Sequence, residues 1–381
     1  MAIRHDRGTA MRGLAVRPIV IAAGGTGGHV FPAEALAASL IARGQRIVLM
    51  TDGRSAALES PVFAGGEHHI LSGAGIAGRG MLRGARAIFQ LAAGILQARA
   101  LLRRLRPAAV IGFGGYPSIA PVLGASLLRE RPAILLHEQN AVLGRANRFL
   151  ARFAGHLALG FAGTAGIPAG IATVVTGNPV RPAIKALANT PYMPPGDRIN
   201  LLVLGGSLGA RVFSDIVPGA VARLPEALRA RLHIVQQCRM EDLPRVRGSY
   251  QQAAVEAELA PFFTGIAEHY AAAHLVISRA GASSCAEIAL VGRPAILVPL
   301  PGAIDDHQSA NARALAEAGA AVVLAQSAFS ITALAALLAE QLAAPASLAA
   351  AAQAARSCAR PEAAEELAAL VDKIMPAWVF S

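Results

Sequence analysis

The strongest constraint on this chain is a rhythm that runs through it twice. Short apolar runs rich in β-branched residues alternate with Ala-rich helix-forming stretches. The first series reads "RPIVIAA", "RIVLM", "AAVIGF", "AILLHE" and "ATVVTG". The second opens with "INLLVLGGSLGARVFSDIV" and continues through "LHIVQQC", "AAVEAEL", "LVISRAG", "PAILVPL" and "AAVVLA". Strands apolar along their whole length, separated by helices, predict a parallel sheet covered on both faces. Two such units in 381 residues predict an α/β protein of two Rossmann-like, doubly wound domains facing a cleft. The expected boundaries are 1–179 and 180–360, with "GNPVRP" at Gly177 to Pro182 between them and a helix over about 361–381 packing back on the first domain.

Two long uncharged windows do not read as membrane spans. His156 to Val180 holds five glycines and Pro168, which would leave backbone groups unsatisfied in lipid, so it reads as strands and turns. Ala318 to Ala339 is interrupted by "QSAFS", and Ser330 is a good helix N-cap, so a strand, a turn and a helix are expected. The only early apolar run feeds a glycine turn, so no signal peptide is expected. Cys238, Cys285 and Cys358 are odd in number and widely spaced, as in a reduced cytosolic chain with no cysteine metal site.

The chemistry concentrates in the turns. In "VIAAGGTGGHVFPAEALA", Val20 to Ala37, glycines sit where a strand hands over to a helix. The unpaired N–H groups and positive dipole end of a helix start suit phosphate there. A dinucleotide clamp with Asp52 on the ribose fits poorly, because its third glycine position falls on Val30. A Walker loop fits worse, since no lysine follows the glycines. "GFGGYPS" at Gly112, "GGSLGA" at Gly205 and "SRAGASSCAE" at Ser278 repeat the device. Glycine can simply permit a tight turn at any one of these places, but four strand ends rich in bare amides, two from each half, favour a phosphate-bearing ligand in one cleft.

Charge adds a partner. The net charge is +11, and of the basic residues only Lys185 and Lys373 are lysines. A coding bias toward arginine explains part of this. From His68 to Arg129, however, there is no acidic residue while Arg79, Arg83, Arg86, Arg99, Arg103, Arg104, Arg106 and Arg129 all occur. Nucleic acid is disfavoured, because the chain is only 4% aromatic and carries no reading motif. "GAGIAGRGMLRGARAIF", Gly73 to Phe89, mixes apolar residues with arginines as an interfacial segment does, so an anionic membrane surface is expected, with a solvated amphipathic helix as the alternative.

In order, "GGTGGHVFPA", "GFGGYPS", "HEQNAVLGRANR", "TGNPVR", "GGSLGA", "RAGASSCAE" and "DDHQSANA" resemble the bacterial peptidoglycan N-acetylglucosaminyltransferases that convert lipid I to lipid II. The resemblance covers roughly residues 18 to 320. The leader through Arg17 lies outside it, and Met11 is a second candidate start. The resemblance implies a glycosyltransferase B fold, UDP-N-acetylglucosamine as donor, and undecaprenyl-linked lipid I as acceptor. It also implies inverting transfer, a peripheral place on the cytoplasmic face of the inner membrane, and cell-wall synthesis and division proteins as partners. Related lipid glycosyltransferases and UDP-sugar epimerases are the alternatives of similar architecture.

By the same resemblance, the donor is contacted by Thr26, Gly27, Gly28, Asn140, Arg181, Ser207, Gln308 and the run Ala282, Ser283, Ser284, Cys285, Ala286 and Glu287. Phe263 aligns beside the uracil at a position that is usually smaller, and Leu208 stands where the family usually has Gln. The helix start at Ala282 suits a diphosphate, Glu287 the ribose hydroxyls, and Arg181 the leaving phosphate. No metal or cofactor is expected, since the one adjacent carboxylate pair, Asp305 and Asp306, belongs to a motif that the resemblance gives to the sugar. His29 is the expected general base, with acceptor diphosphate binding as its alternative role. His137 and Glu138 are either a second acid/base pair or shapers of the cleft, and His307 is equally open.

Overall fold

The computed structural model describes residues 17–25, 27–53, 60–72, 81–206 and 209–376, with only the backbone for 81–88. Seven parallel strands form the first sheet: β1 (Ile19–Ala22), β2 (Ile47–Thr51), β3 (Glu67–Ile70), β4 (Ala109–Gly112), β5 (Ala133–Glu138), β6 (His156–Leu159) and β7 (Ala172–Val175). Six form the second: β8 (Ile199–Leu204), β9 (Leu232–Gln237), β10 (Glu256–Ala260), β11 (Leu275–Ser278), β12 (Ala295–Leu297) and β13 (Ala321–Val323). The spatial orders are β3-β2-β1-β4-β5-β6-β7 and β10-β9-β8-β11-β12-β13. Both sheets therefore reverse direction between their first and fourth strands, which opens a crevice at the carboxyl ends of β1 and β4 and of β8 and β11. All four glycine loops follow those strands.

Apolar strands arise because each sheet is buried on both faces. Ile19 and Ile21 enter one core with Leu36, Leu40 and Leu49, while Val20 points into another with Val48, Leu102 and Val122. In the second sheet Leu201 and Val203 face one core and Leu202 and Leu204 the other. The 318–339 window resolves into β13 and the helix Ile331–Leu342, whose first turn is closed by Ala333 N donating to Ser330 Oγ at 3.2 Å. Among the described residues no single helix is long and apolar enough to cross a membrane.

The chain crosses between the two units twice. After β7, Gly177 takes a φ of +81°, and an added Cβ would stand 2.5 Å from Arg360 Cβ, so the outgoing and returning segments meet backbone to side chain. The last described helix, Ala363–Ile374, then lies on the helix Gly27–Ala42, burying Leu367, Ala368 and Val371 with Ile19 and Ile21. Ion pairs from Lys185 to Glu362 and Glu365 and from Arg43 to Asp372 rim this contact.

Candidate active site

His29 sits on the first turn of the helix that leaves β1. The loop after β4 reaches it through Gly114 and Gly115, at φ of +81° and +67°. A Cβ on Gly115 would lie 3.4 Å from His29 Nε2, so bare backbone faces that nitrogen. On the other side of the ring, His29 Nδ1 is 3.0 Å from Gln139 Oε1. Gln139 Nε2 donates to Phe113 O at 3.0 Å and to His137 Nδ1 at 3.1 Å. His137 is wholly buried; its Nε2 donates to Gly177 O at 3.1 Å, and burial pushes the imidazole down to about 4. Glu138 has a different task. Its carboxylate accepts from Asn140 N, Asn140 Nδ2, Gly144 N and Asn147 Nδ2 at 2.9 to 3.0 Å, which folds the loop after β5 around it.

Across the cleft, the helix Ala282–Val291 begins at Gly281 with no side-chain cap. Its first-turn amides, at Ala282, Ser283 and Ser284, have no intrahelical acceptor. Cys285 N is already bonded to Gly281 O at 2.9 Å, and Ser283 Oγ is buried with no partner. Burial pushes the Cys285 thiol up to about 12, so it is inert. The far end of the helix is tied down by the buried Arg293, which donates to Tyr270 O, Val291 O, Gly292 O and Ala271 O at 2.8 to 3.1 Å.

One turn inside that helix, Glu287 is buried and receives both Nε (3.0 Å) and Nη2 (2.7 Å) of Arg181. Burial raises the Glu287 carboxyl, and the guanidinium pulls it back. Arg181 Cζ also stands 4.8 Å over the Phe31 ring, a cation–π contact to the first unit. Asn311, with no exposure, holds the units together elsewhere. Its Oδ1 accepts from Ala141 N at 2.8 Å and its Nδ2 donates to Asn140 Oδ1 and Ala280 O at 3.1 and 3.0 Å. Arg145 pairs with Asp305 across the same seam at 2.9 Å.

Two domain families match this chain: the glycosyltransferase family 28 N-terminal domain over residues 19–159 and the family 28 C-terminal domain over 200–367. The chain belongs to glycosyltransferase family 28. It is 59% identical, over 95% of its length and 94% of the relative's, to a protein of Granulibacter bethesdensis named UDP-N-acetylglucosamine–N-acetylmuramyl-(pentapeptide) pyrophosphoryl-undecaprenol N-acetylglucosamine transferase. A protein of Acidiphilium cryptum with the same name is 56% identical over 95% of this chain and 98% of its own. The crystal structure of Acinetobacter baumannii MurG superposes with a TM-score of 0.76 at 30% identity, covering 94% of this chain and 99% of that one. The family 28 enzyme described here is a glycosyltransferase of the glycosyltransferase B fold, within the group that the resemblance pointed to.

Of the expected site residues, Gly27, Gly28 and His29 lie at the β1 turn, and Arg181 and the run 282–287 meet at the seam. The Asn140 side chain is spent on Glu138 and Asn311. Gln308 Oε1 accepts from Leu300 N at 3.0 Å, and Phe263 is buried with its ring 4.9 Å from His269. Thr26, Ser207 and Leu208 lie outside the described residues, as do 73–80 of the Arg-rich segment. Sequence reasoning did not single out Gln139, Asn311 or Phe31. All three stand inside quoted motifs, "HEQN", "DDHQSANA" and "GGTGGHVFPA", and that membership was their signal.

Proposed function

We propose that the protein transfers N-acetylglucosamine from UDP-N-acetylglucosamine, with inversion, to the C4 hydroxyl of undecaprenyl-linked lipid I, giving lipid II. The observation that carries this reading is identity of 59% over nearly the full length to a relative bearing that activity in its name. Unit 1–179 takes the acceptor, unit 180–360 holds the donor, and the tail from 361 braces the first unit.

In this reading the amides at Ala282 to Ser284 receive the diphosphate at a positive helix end, joined by Gly27, Gly28 and Thr26 from the facing loop. Ser207, Ala286, Gln308, Asn140 and Phe263 border the nucleotide and sugar, and Glu287 takes the ribose hydroxyls. The acceptor oxygen attacks the anomeric carbon as the bond to the UDP oxygen breaks. His29 Nε2 takes the hydroxyl proton, and UDP leaves with the electron pair, its charge met by helix amides and Arg181. His29→Ala is expected to retain UDP-sugar binding while turnover of radiolabelled donor onto a short-chain lipid I analogue falls by about 10²–10⁴-fold. Undiminished turnover removes the base role. Label that stays on a UDP-sugar, with no lipid product, favours an epimerase.

The acceptor reading also calls for a membrane surface on the cytoplasmic face. Phe89 and Leu96 are exposed at 74% and 62% on the helix Met81–Leu105. That helix packs on Ile119–Ser126, which packs on Arg145–Leu150; Phe149 there and Phe153 just beyond it are also exposed, with Arg152 over the Phe149 ring. Exposed apolar residues in an arginine-rich part of the chain support reversible attachment to anionic lipid. Binding to phosphatidylglycerol vesicles is expected to fall in high salt and to be absent on zwitterionic vesicles.

A further inference from the structure

We propose that Gln139 and His137 are positioning residues that fix the tautomer of His29, placing its proton on Nδ1 and leaving Nε2 bare toward the cleft. The inference rests on the reading of His29 as general base and adds what makes that nitrogen a base.

The argument runs outward from a carbonyl. Gly177 O can only accept, so His137 Nε2, 3.1 Å away, carries a hydrogen. With burial holding His137 neutral, its Nδ1 has a lone pair and no hydrogen. Three acceptors then converge on one end of the Gln139 amide: His137 Nδ1 at 3.1 Å, His137 O at 3.2 Å and Phe113 O at 3.0 Å. Only the NH₂ group can face them. The reversed amide would set its oxygen against three lone pairs in a site where Gln139 is 2% exposed. Gln139 Oε1 therefore turns to His29 Nδ1 at 3.0 Å, and an amide oxygen can only accept. The hydrogen sits on Nδ1. In the neutral ring Nε2, the nitrogen facing Gly115, is the acceptor.

The relay runs from Gly177, at the crossing between the units, through β5 to the base. It uses no carboxylate. Glu138, the neighbouring acid, is occupied by four N–H donors from the loop after β5 and the helix Arg145–Leu150. An amide orients the imidazole without adding a carboxylate beside it.

The test is ¹⁵N NMR of the full-length protein labelled at histidine, with two-bond ¹H–¹⁵N correlations assigned by comparison with His29→Ala. The wild-type His29 is expected to give protonated Nδ1 and bare Nε2. In Gln139→Leu the ring is expected to shift toward the Nε2–H form or a mixture. There kcat should fall at least about tenfold, short of the full ~10²–10⁴-fold that a general base supplies, with KM for UDP-N-acetylglucosamine within about twofold. A wild-type spectrum with hydrogen on Nε2 overturns the relay whether or not the variant folds. So does Gln139→Leu with unaltered tautomer and kcat. Failure of the base reading looks different: His29→Ala then keeps its turnover, whatever the spectrum says.

Discussion

Arg181 sets two nitrogens on one oxygen of Glu287, at 3.0 and 2.7 Å, across 106 residues of sequence. With Phe31 under its guanidinium, this one linker residue touches both halves of the enzyme. In the proposed reaction, ribose and phosphate draw on the same carboxylate and guanidinium, so donor binding has to share or divide the pair.

The pair makes its two members unequal in stability. The Arg181 side chain is 24% exposed and that of Glu287 only 8%, so Arg181→Met strands a buried carboxylate and is expected to cost about 3 kcal/mol. Glu287→Gln keeps an acceptor without the charge and should cost under about 1.5 kcal/mol. Urea denaturation at neutral pH separates them, and equal losses would refute the asymmetry.

His137 gives the fold a pH dependence of known sign. Its imidazole falls from 6.5 to about 4 on burial, so between those values the unfolded chain binds a proton that the folded chain refuses. The contribution is complete above pH 6.5 and is lost as pH falls toward 4, by about 3 kcal/mol in all. Denaturation of wild type and His137→Asn across that window is expected to show a shallower pH slope for the variant. Parallel slopes would remove His137 as the cause.

Asn311→Ala removes three hydrogen bonds from a fully buried amide that joins the two units. Leaving Ala141 N and Ala280 O without that partner is expected to destabilise the protein by about 2–4 kcal/mol. Small-angle scattering should then show a larger radius of gyration, since the seam loses its buried polar tie. An unchanged radius would mean that the tie does not hold the units together.

At Gly177 a side chain has no room. Gly177→Ala must hold φ near +81° and put a carbon 2.5 Å from Arg360 Cβ. Left-handed backbone alone costs about 1–2 kcal/mol, and the contact pushes the returning segment away. Amide exchange should quicken in Ala363–Ile374 more than in β8 to β13. Uniform quickening would argue against a local effect.

The doubly wound architecture was legible because burial on both faces writes itself into a strand as an unbroken apolar run, as in "INLLVL" and "PAILVPL". β3, "EHHI", escaped the sequence reading. It is a short edge strand whose residues alternate between partial burial and exposure, so no apolar run marks it. The glycine loops were equally readable, since a strand-to-helix turn is a local event. Contacts were not: nothing local says that Arg181 will meet Glu287, or that Gln139 lies between two imidazoles brought together from β5 and the helix after β1.

By itself, then, the order of residues determined the alternation of apolar strands and helices, the glycine turns at four strand ends and the family to which the enzyme belongs. Only the tertiary structure decided which buried donor faces which acceptor, and hence where the proton on His29 resides. The reason is physical: hydrophobic patterning is averaged along a segment, whereas a hydrogen bond depends on distances and angles that exist only once remote segments have packed.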